Sequence, residues 1–315
     1  MRIGIPGGLL YYNYEPFIKT FFDELGVEVK YSTVSNKDIL NMGAKNCVDE
    51  ACLPIKIFHG HVMKLQEDCD YIAVPRIMNC EFGESICPKY EGLPELVASG
   101  TKKNNYIFSK PIRMHDKKKF LKSLQAGAKQ IGINKKKVKL AFERALESQK
   151  NVNRGIDEEE YTYKVFLAGH PCNIYDQFAN INLIEKLHKL DIGIITEECV
   201  SESNKKEQMK DLIKNPYWLF FINNFGAAKF LEAEGKADGI IYLSSFCCGT
   251  DSFTVEMIKN NLKHLPMLVL KLDEQTGEAG YDTRLEAFKE MLEMKSVKNS
   301  KKGVETFENN ISSYR

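Results

Sequence analysis

Apolar residues fall alternately into short continuous runs and into helical spacing. The opening RIGIP reads as a buried strand ending at Gly7-Gly8. Tyr14, Phe17, Ile18, Phe21, Phe22 and Leu25 then recur at helical spacing, with Gly26 as the stop. VEVKYS (27–32) predicts a second strand. Asn36 predicts a capped helix through Ala44, and Pro54 the start of another running to about Glu67. DYIAVPR (70–76) reads as a third strand. After a cysteine-bearing loop, YIFSKPI (106–112) continues the series, followed by two Lys-rich helices over about 116–150. The polar stretch NVNRGIDEEEYTYK (151–164) interrupts the pattern, which then restarts. KVFLAGHP (164–171), DIGIIT (191–196), ADGIIYLSSF (237–246) and MLVLKLDE (267–274) read as strands. Between and after them fall a helix face of Ile181, Ile184, Leu187 and Leu190, the apolar WLFFINNFGAAKFLEAEG, which reads as a helix or a broken pair, a helix over about 253–263 and an amphipathic helix Thr283–Met294. Strands alternating with helices predict a parallel α/β fold. The expectation is two similar α/β lobes, 1–155 and 156–315, facing each other across a cleft.

Composition agrees and narrows the class. A chain of 315 residues is roughly two domains long. Hydrophobic residues at 43% and charged residues at 28% exclude a disordered or fibrous chain. Lys+Arg 44 against Asp+Glu 43 gives a net charge of +1, no electrostatic footprint for nucleic acid or an anionic membrane. The Lys runs 117–119 and 135–137 carry aliphatic and aromatic partners (Phe120, Leu121, Val138, Leu140) and read as solvated helix faces. No apolar run approaches the roughly 20 residues of a membrane span, and the N-terminus lacks the features of a signal peptide. A soluble, cytoplasmic protein is expected.

Nine cysteines are the informative excess. An odd number in a reducing compartment argues against a disulfide framework. No pair has CxxC spacing, which disfavours a zinc ribbon, a thioredoxin site and a ferredoxin loop. Any metal ligands must then be gathered from distant segments. Cys80 and Cys87 follow the third strand, Cys247-Cys248 follow ADGIIYLSSF, and Cys52 lies at a break between two helices. Loops at the carboxyl ends of parallel strands are where open α/β sheets hold ligands. In Cys248-Gly249-Thr250-Asp251-Ser252 a helix begins just beyond the thiol, and its free N–H groups suit an anionic ligand. Spacing leaves metal ligation and plain buried thiols both open, and Cys69 and Cys199 read as structural. His59, His61 and nearby Cys47 fit a core or helix-surface role. His170 ends a strand and could reach the cleft. Asp273, Glu274 and Glu278, with Gly277 and Gly280, form an acidic loop suited to a cation, a substrate or simply a turn. Neither a dinucleotide fingerprint nor a phosphate loop is present.

Six blocks then become recognisable. CVDEACLPIKIFHGH (47–61), VPR (74–76), ICPKYEGLPEL (86–96), LAGHPCNIYD (167–176), FCCGTDSFTVEMI (246–258) and LDEQTGEAGYDTRLEAF (272–288) together resemble the acyl-CoA dehydratase activase-related proteins. These belong to the wider 2-hydroxyacyl-CoA dehydratase superfamily with its double-cubane relatives. The resemblance spans nearly the whole chain. It implies two Rossmann-like (flavodoxin-like) lobes and an iron–sulfur cluster in the cleft, either 4Fe-4S or a double-cubane 8Fe-9S. The positions that match the family's cluster cysteines are Cys52 in ACLP, Cys87 in CPK and Cys248 in CGTDS. Two departures add thiols: Cys247 precedes Cys248 where the family pattern has glycine, and Cys172 stands in GHPCN where tyrosine is expected.

The resemblance implies an iron–sulfur protein of anaerobes working with a separate ATP-dependent activase of the actin/sugar-kinase type. The reaction would be 2-hydroxyacyl-CoA dehydration or reduction of a related small molecule. Cys52, Cys87 and Cys248 would hold the cluster with Cys247 as a spare ligand, and His170 or Glu278 would act as acid/base or positioning group. Two alternatives stand beside it: an electron-transfer component without its own substrate, and a zinc-bound or metal-free regulatory scaffold. A homodimer or a heterodimer fits either use.

Overall fold

The computed structural model describes residues 1–80, 84–101, 104–150, 152, 154–214 and 216–312, with the backbone alone from 298 onward. The first half contains β1 (Arg2–Ile5), α1 (Tyr11–Leu25), β2 (Glu28–Tyr31), α2 (Lys37–Ala44), α3 (Leu53–Gln66), β3 (Tyr71–Ala73), β4 (Arg76–Asn79), α4 (Pro88–Glu91), α5 (Leu93–Gly100), β5 (Tyr106–Ile107), β6 (Pro111–Arg113), α6 (Lys117–Lys129) and α7 (Lys135–Lys150). The second contains β7 (Tyr163–Gly169), α8 (Pro171–Ile174), α9 (Leu183–Lys189), β8 (Ile192–Ile195), α10 (Glu202–Glu207), α11 (Leu219–Ala233), β9 (Gly239–Ser245), α12 (Gly249–Asn261), β10 (Met267–Leu272) and α13 (Glu278–Ser312).

Two four-stranded sheets, β2-β1-β3-β5 and β10-β9-β7-β8, and a two-strand pair β4-β6 carry the fold, and every named pairing is parallel. Parallel strands are covered on both faces, which is why β7 and β9 read as unbroken apolar runs; all seven residues of β9 are buried. This is the α/β architecture of two Rossmann-like lobes. Most expected elements are present, with Asn36 Oδ1 accepting from Ile39 N at the start of α2 and Gly26 in the left-handed region (φ 58°) closing α1. The apolar run from Trp218 forms α11 alone. α12 begins at Gly249, directly after Cys248, rather than four residues later.

Two expected strands are broken. The run 70–76 ends β3 at Ala73 and resumes as β4 at Arg76, with Pro75 between; 106–112 splits into β5 and β6 around Phe108, whose φ is 63°. Pro75 cannot donate to a ladder and the left-handed backbone of Phe108 turns the chain, so each strand leaves the main sheet, and the remainders pair with each other. In the expected α9 face, Ile181 and Asn182 have left-handed φ values of 56° and 52° and precede the helix. In the polar stretch 151–164, Ile156 O accepts from Thr196 N at 2.9 Å and Asp157 bridges to Ile195, both beside β8. Asn151 and Asn153 lie outside the described residues.

The lobes share side chains as well as a face. Ile39, Leu40, Leu53 and Ile57 of α2 and α3 are buried with Leu167, Leu243 and Leu272 of the second sheet. Close helix approach makes this possible: a Cβ on Gly43 would lie 1.7 Å from Lys56 O, and one on Gly60 would lie 1.9 Å from Ile39 O. Glycine at both positions lets the two backbones touch.

His61 of α3 is buried in this seam, and Nε2 lies 3.0 Å from Ser35 Oγ. Ser35 donates its hydroxyl proton to Asp176 Oδ2 at 2.7 Å, so Nε2 must carry the proton it shares with Ser35. Nδ1 is buried without a hydrogen-bond partner. Burial pulls the imidazole pKa from 6.5 to about 4, against the opposing pull of Asp176. Between those values the unfolded chain holds a proton at His61 that the native chain does not, so stability falls as pH falls through this window. The loss reaches about 3 kcal/mol near pH 4. Urea unfolding at pH 7 and at pH 4.5 is expected to show a smaller drop for His61→Gln than for the unsubstituted chain. Equal drops would assign the acid sensitivity to other groups.

Candidate metal centre

Four residues at helix starts face one pocket of about 380 Å³ between the lobes. Cys52 is the N-cap of α3, Cys87 of α4, His170 of α8 and Cys248 of α12, and none makes a side-chain capping hydrogen bond. Pro54, Pro88 and Pro171 fix the first turns of three of them. Ser, Thr, Asp or Asn would ordinarily stand at such positions and tie their side chains down as caps. A thiol is a weaker acceptor and is tied down less firmly, so the sulfurs can face the pocket. The N-termini of α3 and α12 also bring the positive ends of their dipoles to its edge.

Burial differs among the thiols. Cys248 and Cys172 are buried, Cys52 and Cys87 half-buried, and Cys247 exposed at the rim with φ 61°. Burial pushes the Cys87 thiol up to about 11, and raises Cys52, Cys172 and Cys248 as well, with the Asp251 carboxylate adding to the rise at all four. Lys89, on the pocket wall, opposes the rise at Cys52 and Cys87. Empty of metal, the thiols are therefore protonated near neutral pH, and a metal that binds them must displace protons.

Asp251 organises the second-lobe side. Fully buried, it accepts from Tyr242 Oη (3.0 Å) and Ser245 N (3.2 Å) and faces His170 Nε2 at 3.3 Å. The His170 ring packs on Phe220 with centroids 4.2 Å apart. Cys248 Sγ lies 3.3 Å from Thr250 Oγ1. His170, Cys248 and Asp251 place one ligand atom each within 4.8 Å of one another; among the described residues no other trio of potential ligands does. Cys52, Cys87 and Cys248 line one pocket without all three sulfurs lying within 4.8 Å of one another. A single zinc ion, with Zn–S of about 2.3 Å, draws its thiolates to within about 4 Å of each other. The soft thiol donors suit a thiophilic metal or an iron–sulfur group, and the pocket has room for a group of several atoms.

The remaining candidates lie elsewhere. Glu278 opens α13, two-thirds exposed, 3.6 Å from Lys186, and is not on the pocket wall. Asp273 closes a turn by accepting from Gln275 N, and Glu274 pairs with Lys56 at 2.8 Å. Cys69 sits in the apolar core, and Cys199 Sγ donates to Ile156 O. Cys80 is buried beside a neighbouring pocket. His59 is a core residue whose ring nitrogens face Ile55 O and Leu96 O. Lys89 and Asp251 did not stand out in the sequence, although CPK and CGTDS contain them. Trp218 reaches the pocket because Leu219 N bonds Ser85 O across the lobes, a pairing with no local sequence signal.

Fold and site together define a two-lobed parallel α/β protein with a thiol-lined pocket at its seam. The family model described as CoA enzyme activase uncharacterised domain (DUF2229) matches residues 2–200, more than half of the chain, and the chain belongs to that family. The matched span contains Cys52, Cys87, His170 and Cys172; Cys248 lies beyond it. A search of the curated proteins found no match. Among the described residues no helix is long and apolar enough to cross a membrane.

Proposed function

We propose that this protein holds an iron–sulfur cluster, a 4Fe-4S or a double-cubane 8Fe-9S, on Cys52, Cys87 and Cys248. It passes low-potential electrons in partnership with a separate ATP-dependent activase, in 2-hydroxyacyl-CoA dehydration or reduction of a related small molecule. The observation that carries the reading is the convergence of three helix-start thiols, from separate segments of the chain, on one pocket with room for several atoms. Family membership supports the link to CoA-enzyme activation.

When bound, the cluster supplies electrons one at a time. The chain's own groups do the rest. Cys52, Cys87 and Cys248 act as thiolate ligands, and Lys89 and the starts of α3 and α12 offset the negative charge. His170, held by Asp251 and Phe220, is placed to hold or move a proton at Nε2. Trp218 and Phe253 wall the pocket against water. Iron and acid-labile sulfide per chain after anaerobic purification test this directly. About four irons indicate a single cubane and about eight a double one; none would overturn the reading.

Cys172 favours a second reading, that of an electron carrier with a closed cluster. It is buried on the same wall, and Tyr90 Oη points at its sulfur from 3.9 Å. With three protein ligands, Cys172→Tyr is expected to leave iron content and the EPR spectrum of the reduced protein unchanged. Lost iron or an altered spectrum would identify a fourth thiolate and favour the carrier.

A further inference from the structure

Beside the thiol pocket, the first lobe holds a second cavity of about 130 Å³. Its lining is almost wholly apolar and rich in rings, among them Phe17, Phe21, Phe22, Phe58, Phe108 and Phe120. Leu9 and Tyr90 line both this cavity and the thiol pocket, so their side chains form the partition between the two. The partition is built under backbone constraint. Leu9, a buried leucine, is held at φ 52° directly after Gly8 at φ 89°. A non-glycine residue in that region is strained and persists where its surroundings impose it. The wall contributed by α1 is irregular too: Tyr14 leaves helical geometry (φ −115°, ψ 16°), two residues before Pro16.

Protein interiors are close-packed, and voids larger than a water molecule are few. Water is a poor occupant of this one, since it needs two to four polar partners. An apolar cavity of roughly 150 Å³ lined by Leu, Ile and Phe stays dry and takes benzene or xenon. We propose that this cavity is a binding site for an apolar group of about six carbons, a phenyl ring or a short hydrocarbon chain. The rest of the ligand passes Leu9 and Tyr90 into the thiol pocket. The ring faces of the lining suit such a group through edge and stacking contacts. Its use as the apolar end of a substrate rests on the function proposed above; the binding itself does not.

The test uses the full chain without metal, in reducing buffer. Benzene is expected to raise the melting temperature saturably, by about 2–3 °C at ten times its dissociation constant. Ala73→Leu, which adds three carbons to the cavity wall, is expected to abolish the rise. Should that variant fail to fold, xenon NMR on the unsubstituted chain gives a second reading: a saturable shift of the xenon line, reversed by benzene, supports the site. No rise with benzene and no saturable xenon shift would overturn it, as would an equal benzene effect in folded Ala73→Leu. Because no iron is present, the two proposals can fail separately. Benzene binding by a chain that never retains iron sinks only the cluster, and iron retention without benzene binding sinks only this cavity.

Discussion

Cys52→Ala, Cys87→Ala and Cys248→Ala are each expected to bring iron per chain close to zero, whereas Cys69→Ala and Cys199→Ala retain it. The contrast follows from where the sulfurs point. The first three stand at helix starts, make no capping bond and face the same pocket. A cluster deprived of one of three protein ligands would be left with one iron more exposed to solvent and chelation. Cys69, by contrast, packs between α3 and β3, with its sulfur 3.2 Å from where a Cβ on Gly4 would stand, and its replacement costs only a small void. Cys199 gives up one hydrogen bond to Ile156 O. Iron and sulfide assays on the five anaerobically purified variants decide the matter, with circular dichroism of the metal-free forms showing that the fold is kept. Full iron in any of the first three removes that residue from the ligand set.

Gly60→Ala and Gly43→Ala are expected to be the most damaging single-methyl changes, each costing about 4 kcal/mol or more. The added Cβ would meet main-chain carbonyl oxygens at 1.9 and 1.7 Å, and no side chain can swing aside to make room. α2 and α3 would have to separate, withdrawing Ile39, Leu40, Leu53 and Ile57 from the core they share with the second sheet. Cys52 begins α3, so a chain that still folds would present that thiol out of place and hold less iron. Gly277→Ala is the control, since nothing lies within 4 Å of its added Cβ; a change within about 0.5 kcal/mol is expected. Urea midpoints measure all three. A cost near that of the control at Gly43 or Gly60 would mean that the helices part freely.

Sequence pattern conveyed the α/β alternation because parallel strands buried on both faces produce continuous apolar runs, as in β7 and β9. It missed the β4-β6 pair, since one apolar run read as one strand, and only the geometry at Pro75 and Phe108 divides it. The early start of α12 was hidden by Gly249 and Thr250, weak helix formers that gain from the free helix start behind Cys248. At the site, the cysteine loops were legible from their positions after strands. Cys172 was visible as an added thiol, but only its place in the first turn of α8 shows that it faces the others. The apolar cavity had no local signal: its walls come from residues as far apart as Ile5 and Leu124.

Cys52 and Cys87 come from the first half of the chain and Cys248 from the last quarter. During synthesis the pocket has no second wall until β9 and the start of α12 have left the ribosome and docked. A ligand that needs both walls finds them only after that docking, among thiols that burial keeps protonated and slow to oxidise. Loading would then follow the docking of the second lobe rather than the folding of the first, so the order of folding would set the order of assembly.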